Sequence, residues 1–378
     1  MRRTSGPRSL LVVGTGLIGT SVALAATGAG YQVWLDDRDP DRVAMAVAVG
    51  AGQPARSAEG NSLDALPAAG VDLAVVAVVP TAIAVTTQAL LDLRIAPAIT
   101  HTGSVQNHPQ QEVEALCPGA DAFVGSHPVA GRERSGPHHA SADLFVSRPW
   151  IVCPTPSSTP SAVDAVRDLA RACGAVVTAM PADAHDALFA RLSHVPQLLA
   201  SALAATVVGL ARDEVALAGT GIRDTSRLAD SDGELWAEIV GANAQPVAAA
   251  LHSLLAPLDH LVAELESSDP VRVGAAVREL MDRGHRGRAL LGGKHGKPAV
   301  RWATVAVVVP DEPGALARLL ADAARAQVNV EDIRVDHSPG QPLGLVELDV
   351  APDRGETLEH ALAQRGWTAT ASPPPTEH

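Results

Sequence analysis

The chain has 378 residues, a formal charge of −13 and a hydrophobic fraction of 47% with only 2% aromatics. That length allows two or three domains with a core of Ala, Val and Leu, and the acidic balance excludes a polyanion-binding surface, which needs clustered Lys and Arg. The only lysines, Lys294 and Lys297, exclude any mechanism that needs a lysine deeper in the chain.

Residues 9–150 alternate short apolar runs with helical patterns. Segments 10–13, 32–35, 72–79 and 98–101 read as buried parallel strands, with helices over 17–27, 39–49 and 81–91. This alternation predicts a doubly wound α/β sheet of Rossmann type, with 150–153 and 175–179 as added edge strands after 123–125. From Ala182 to about Arg288 the chain is Ala/Leu-rich and helical, too apolar for independent surface helices, so an all-α dimerisation domain and a homodimer are expected. Gly292–Pro298 is a linker by composition. Residues 303–371 then read as β-α-β-β-α-β, the ferredoxin-like α+β order. The expected domains are 8–181, 182–291 and 301–371.

Cys117, Cys153 and Cys173 have no metal-type spacing. Their odd number fits buried thiols in a reducing compartment. His138 and His139 are adjacent but lack matching ligands, so no metal site is expected. The basic N-terminus runs straight into a strand, not a signal-type apolar region, and no apolar run reaches membrane-spanning length. A cytoplasmic protein with neither membrane nor nucleic-acid partners is expected.

Gly14-x-Gly16-x-x-Gly19 follows the first strand and opens a helix. Gly14 permits the tight turn, Gly16 admits a pyrophosphate to the backbone, and Gly19 allows close helix–strand packing; Leu17 and Ile18 complete the turn. Asp36 and Asp37 end the second strand at the ribose-binding place. The acid favours NAD over NADP, whose 2′-phosphate Arg38 would have to attract. Asp37 is the first choice for the ribose ligand and Asp36 the second.

A second signal is Gly125-Ser-His127-Pro-Val-Ala-Gly-Arg-Glu133-Arg-Ser-Gly136, which sets a histidine in a Gly/Pro-rich turn. Two more follow: Ser193-His-Val-Pro196, and Gly219-x-Gly-Ile-Arg223-Asp224-Thr-Ser-Arg227-Leu-Ala-x-Ser231 with Leu235-Trp236. With the glycine turn, these segments resemble the TyrA family of prephenate dehydrogenases over nearly the whole chain. The resemblance implies NAD-dependent oxidative decarboxylation of prephenate to 4-hydroxyphenylpyruvate in tyrosine biosynthesis, or of its amino counterpart arogenate to tyrosine. It implies His127 as the base on the C4 hydroxyl, a role suited to histidine. Ser104 orients that histidine and the substrate. Arg227 holds a substrate carboxylate with its planar fork, and Ser193 contacts substrate. Glu133, Arg223, Asp224 and Trp236 form a gate, partly from the partner subunit. Many members carry a histidine where this chain has Gln197, which leaves the choice between a keto and an amino side chain open.

On the residues alone, Glu133 and Arg223 also fit a surface ion pair, Arg227 helix packing, and His194 the core of a helix. The C-terminal Asp311-Glu-Pro-Gly314 turn and Asn329 resemble an ACT domain, with tyrosine as the expected effector and structural dimerisation as the alternative. Two other functions compete. A β-hydroxyacid dehydrogenase needs a catalytic lysine in the helical domain, and none is there. A silent amino-acid or NAD sensor does not need the intact His127, Ser104 and Arg227.

Overall fold

The computed structural model describes residues 8–57, 63–131, 136–291, 302–337 and 343–373, in two compact units, Met1–His260 and Leu261–His378. The first unit opens with β1 (Ser9–Val13), α1 (Leu17–Gly28), β2 (Gln32–Asp36), α2 (Pro40–Ala48), β3 (Gln53–Pro54) and β4 (Leu73–Val76). It continues through α3 (Ile83–Asp92), β5 (Ile99–His101), α4 (Asn107–Leu116), β6 (Phe123–Pro128), β7 (Pro149–Pro154), α5 (Pro160–Ala172) and β8 (Val176–Ala179). The strands form one sheet in the order β3-β2-β1-β4-β5-β6-β7-β8, parallel except where β7 runs against β6.

Helices cover both faces, so Leu10, Leu11 and Val12 are all fully buried. That is why the strands read as continuous apolar runs. The helix starts follow local chemistry. Asp39 accepts the Asp41 N–H with Pro40 in the first turn of α2, and Thr159 accepts the Ala162 N–H before α5. Strand order reverses between β1 and β4, which opens a crevice at their carboxyl ends.

Beyond the sheet lie α6 (Ala182–Phe189), a π-helical turn (Ala190–His194), α7 (Val195–Ala205), α8 (Arg212–Val215) and α9 (Thr220–Ser226). A 3₁₀ turn (Arg227–Asp230), α10 (Gly233–Ala242) and α11 (Ala244–Ser267) follow. Apolar side chains between these helices are widely exposed, Val208 at 82% and Leu217 at 86%. Such surface suits a protein partner. α11 is long and apolar enough to cross a membrane by length and composition, against the expectation that no such run exists. Its apolar positions are interrupted by Gln245, His252, Asp259 and His260, which hid the run from a reading for unbroken hydrophobicity.

The second unit contains α12 (Pro270–Leu290), then β9 (Ala303–Pro310), α13 (Ala315–Arg325), β10 (Val330–His337), β11 (Leu343–Val350), α14 (Gly355–Ala363) and β12 (Thr368–Ser372). The sheet order is β10-β11-β9-β12, every neighbour antiparallel. This is the ferredoxin-like arrangement. Val305, Val307, Leu319, Leu348, Leu358 and Leu362 fill its core.

Candidate active site

A cleft of about 2340 Å³ runs from the glycine turn across the carboxyl ends of β1, β4, β5 and β6 to α10. At one end Gly14, Gly16, Leu17 and Ile18 line it. Gly14 has φ +98°, and a Cβ there would strike the Ala77 carbonyl. A Cβ on Gly19 would strike the Gly14 carbonyl, whereas nothing lies within 4 Å of one on Gly16. The first and third glycines thus serve packing, and the second leaves the backbone open to a ligand at the positive end of α1. These residues fit a dinucleotide pyrophosphate.

The strand-end acids have separate tasks. Asp37 accepts from the Thr15 N–H at 2.7 Å and Oγ at 3.1 Å, and from the Asp39 N–H at 3.0 Å. It braces the glycine turn. Asp36 is nearly buried and is gripped by Arg56, with Nε 2.5 Å from Oδ1 and Nη2 3.0 Å from Oδ2. Asp36, Asp37, Arg38 and Arg56 all line the cleft. Arg56 follows β3 and carries no sequence signal of its own.

The other end is built from side chains. His127 sits on the last turnward residues of β6, which is pinned to its neighbours through Ser126. That hydroxyl donates to the His101 carbonyl at 2.9 Å and accepts from Trp150 Nε1 at 3.1 Å. His127 Nδ1 lies 2.9 Å from His185 Nε2, and His185 Nδ1 lies 2.8 Å from Asp186 Oδ1. Asp186 also accepts the Gln106 and Asn107 N–H groups at the start of α4, at 2.9 and 2.8 Å. A carboxylate can only accept, so His185 donates from Nδ1 and receives at Nε2. His127 therefore carries its proton on Nδ1 and holds a lone pair on Nε2. Phe189 packs against both rings, 4.8 Å from His127 and 4.4 Å from His185. Burial first, then the neighbouring imidazoles of His185, His101 and His194, holds His127 well below the ordinary histidine range. Its ring is neutral at physiological pH.

Ser104, Ser193 and Trp236 line the cleft with His127. Ser104 makes no hydrogen bond to His127. His185 occupies His127 Nδ1. Gln197 Nε2 donates to the Leu228 carbonyl at 2.7 Å, and its Oε1 lies 3.3 Å from Ser231 Oγ, which also lies 2.9 Å from that carbonyl. Arg223, Asp224 and Arg227 are exposed on α9 and the following turn and do not line the cleft; Arg223 Nε donates to the Ala218 carbonyl at 3.3 Å. Glu133 lies outside the described residues. In the C-terminal unit Gly314 is left-handed at the start of α13, and the Asn329 amide donates to Glu331 at 2.5 Å.

Sequence reading missed His185 and Asp186. They stand side by side on an Ala-rich helix with no spacing that singles them out. Only the apposition of α6 with β6 makes them partners of His127.

Residues 21–179 match the nucleotide-binding domain of prephenate dehydrogenase, and residues 181–279 match its dimerization domain. A probable prephenate dehydrogenase of Streptomyces niveus, NovF, is 32% identical over 371 residues, covering 96% of this chain and all of its own. A crystal structure of a putative prephenate dehydrogenase from Corynebacterium glutamicum is 30% identical, with a TM-score of 0.65 over 74% of this chain and 88% of that one. The structure of prephenate dehydrogenase from A. aeolicus, in complex with hydroxyphenyl propionate and NAD+, shares the fold. Its TM-score is 0.65 at 23% identity, over 75% of this chain and 99% of that one.

Proposed function

The chain belongs to the prephenate dehydrogenase family, and from that membership we propose how its residues divide the NAD-dependent oxidative decarboxylation of prephenate. NAD, bound along the Gly14–Gly19 turn, supplies the hydride acceptor. His127 Nε2 takes the proton of the substrate's C4 hydroxyl as that carbon gives up hydride. The ring carboxylate leaves as carbon dioxide and the ring becomes aromatic, which drives the step forward. His185 and Asp186 hold the tautomer. Ser104 and Ser193 contact substrate, and Trp236 walls it in.

The observation that carries this reading is the hydrogen-bonded series from Asp186 through His185 to His127 Nδ1. It leaves Nε2 as the accepting nitrogen in the cleft that the glycine turn also lines. The test is NADH formation with prephenate and with arogenate, using NAD and NADP. Turnover of prephenate with NAD supports the reading; exclusive use of arogenate replaces the substrate.

We also propose the domains 8–181, 182–291 and 301–371, a cytoplasmic location, and an ACT-like role for the last unit with tyrosine as effector. The split β-α-β-β-α-β sheet and the open backbone at Gly314 support that role. Arg223, Asp224 and Arg227, exposed on the domain that matches a dimerization family, are proposed to act at the partner subunit's cleft. Tyrosine inhibition is to be compared in the full chain and in a chain ending near Gly293. A typical coupling of about 1–3 kcal/mol predicts a shift of roughly 5–150-fold. Unchanged inhibition after truncation removes the effector role.

A further inference from the structure

His194 closes the π-helical turn ahead of α7 and is fully buried, yet its Nε2 has no hydrogen-bond partner among the described residues. Buried polar atoms are almost always paired, so this nitrogen needs an account. Its surroundings supply one.

Asn243, the residue that ends α10, places its amide nitrogen 2.9 Å from the Asp186 carbonyl oxygen. A carbonyl only accepts, so the amide orientation is settled: nitrogen faces Asp186. The same nitrogen lies 3.1 Å from His194 Nδ1. Nδ1 must then accept, and His194 carries its proton on Nε2. Burial holds its pKa down to about 4, so the ring stays neutral. The aromatic neighbour is Trp236, with centroids 6.0 Å apart and planes at 78°. An aromatic face is a weak acceptor for N–H, and an edge-to-face pair is the preferred geometry.

We infer that Asn243 and His194 are positioning residues for Trp236. Suspended from the Asp186 carbonyl, they turn the Nε2–H edge of His194 against the indole and set the angle of the cleft wall. The carboxylate of the same residue holds His185, and through it His127. One residue, Asp186, is thereby the common reference for the base and for the wall opposite the substrate. This rests on reading the cleft as the prephenate site.

The test uses the full-length protein. His194→Asn can still meet Asn243 but lacks the far edge of the ring, whereas His194→Gln keeps a donor near the Nε2 position. We expect His194→Asn to raise the KM for prephenate about tenfold, with kcat and the KM for NAD within about twofold, the pattern of lost substrate positioning. His194→Gln should recover most of the loss. In a Trp236→Leu background, His194→Asn should add less than about twofold, because residues acting through one contact are not additive. Equal effects in both backgrounds, an equal rise in the NAD constant, or wild-type constants with only a lower Tm would overturn the inference. An activity-free readout is the imidazole ¹⁵N spectrum, with His194 identified by its loss in His194→Asn. A proton on Nε2 that shifts when Trp236 is replaced supports the inference; a proton on Nδ1 overturns it. If the wild type makes no NADH from prephenate, the functional reading fails, and the tautomer measurement still decides this point.

Discussion

At the dinucleotide end of the cleft, recognition is done by backbone. Gly16 is open, Gly14 and Gly19 exist to let chain segments touch, and Asp37 braces the turn through Thr15. At the substrate end it is done by side chains, a pair of imidazoles held by one carboxylate. The difference teaches where each end is vulnerable. A backbone site is insensitive to most single changes apart from added Cβ atoms. A hydrogen-bonded side-chain series fails at any member.

The largest expected effect breaks the substrate end alone. His127→Asn should lower kcat on the order of 10²–10⁴-fold, as for a positioned acid–base group, while the NAD dissociation constant stays near wild type. Tritiated or fluorescent NAD titration beside steady-state rates checks it; a parallel loss of NAD affinity would show that the two ends are not separable.

Acid should act on the same end. Burial holds His101 down to about 3 and His194 to about 4, below the value of about 6.5 for an unfolded histidine. Between those limits the unfolded chain binds more protons than the folded one, so stability falls as pH falls. The expected slope is up to about 1.4 kcal/mol per pH unit for each histidine, beginning near pH 6.5. Urea midpoints measured from pH 7.5 to 5 test this. For His194→Asn a shallower slope is expected, and an unchanged one counts against a buried neutral His194.

Asp186→Asn should lower kcat about 10–100-fold, the usual cost of losing an outer partner that orients a functional group. The KM for NAD should hold. Because Asp186 also anchors α4 through the Gln106 and Asn107 N–H groups, Tm must be measured beside it. A fall in Tm with unchanged kcat would assign Asp186 to folding only.

The smallest effect sharpens the cofactor end. Asp36→Ser should remove the carboxylate that pairs with Arg56 and faces the cleft, and so raise kcat/KM with NADP about tenfold. The double change Asp36→Ser with Arg56→Ala should cancel that gain. If the gain persists in the double variant, Arg38 alone carries it.

What could be read along the chain were features whose cause is local. The glycine spacing is one, since left-handed φ and close approach are properties of single positions. The apolar runs of β1 and β4 and the alternation of β9 are others, because burial on two faces or one writes itself into the order of residues. The doubly wound sheet and the ferredoxin-like unit follow from these. The His127 motif was legible by its resemblance to a family, and its neighbours were not.

His185 and Asp186 lie 58 residues or more from His127, and Asn243 reaches back 49 residues to His194. No periodicity links such positions. Gln197 donates to the Leu228 carbonyl 31 residues on, a partner that no spacing announces. Asp36 and Asp37 are adjacent and chemically alike, yet Asp36, the last residue of β2, meets Arg56 and Asp37, just beyond it, meets Thr15. Which donors and acceptors remain for a ligand depends on which ones the fold consumes, and that consumption is decided by tertiary contacts between segments far apart in the chain.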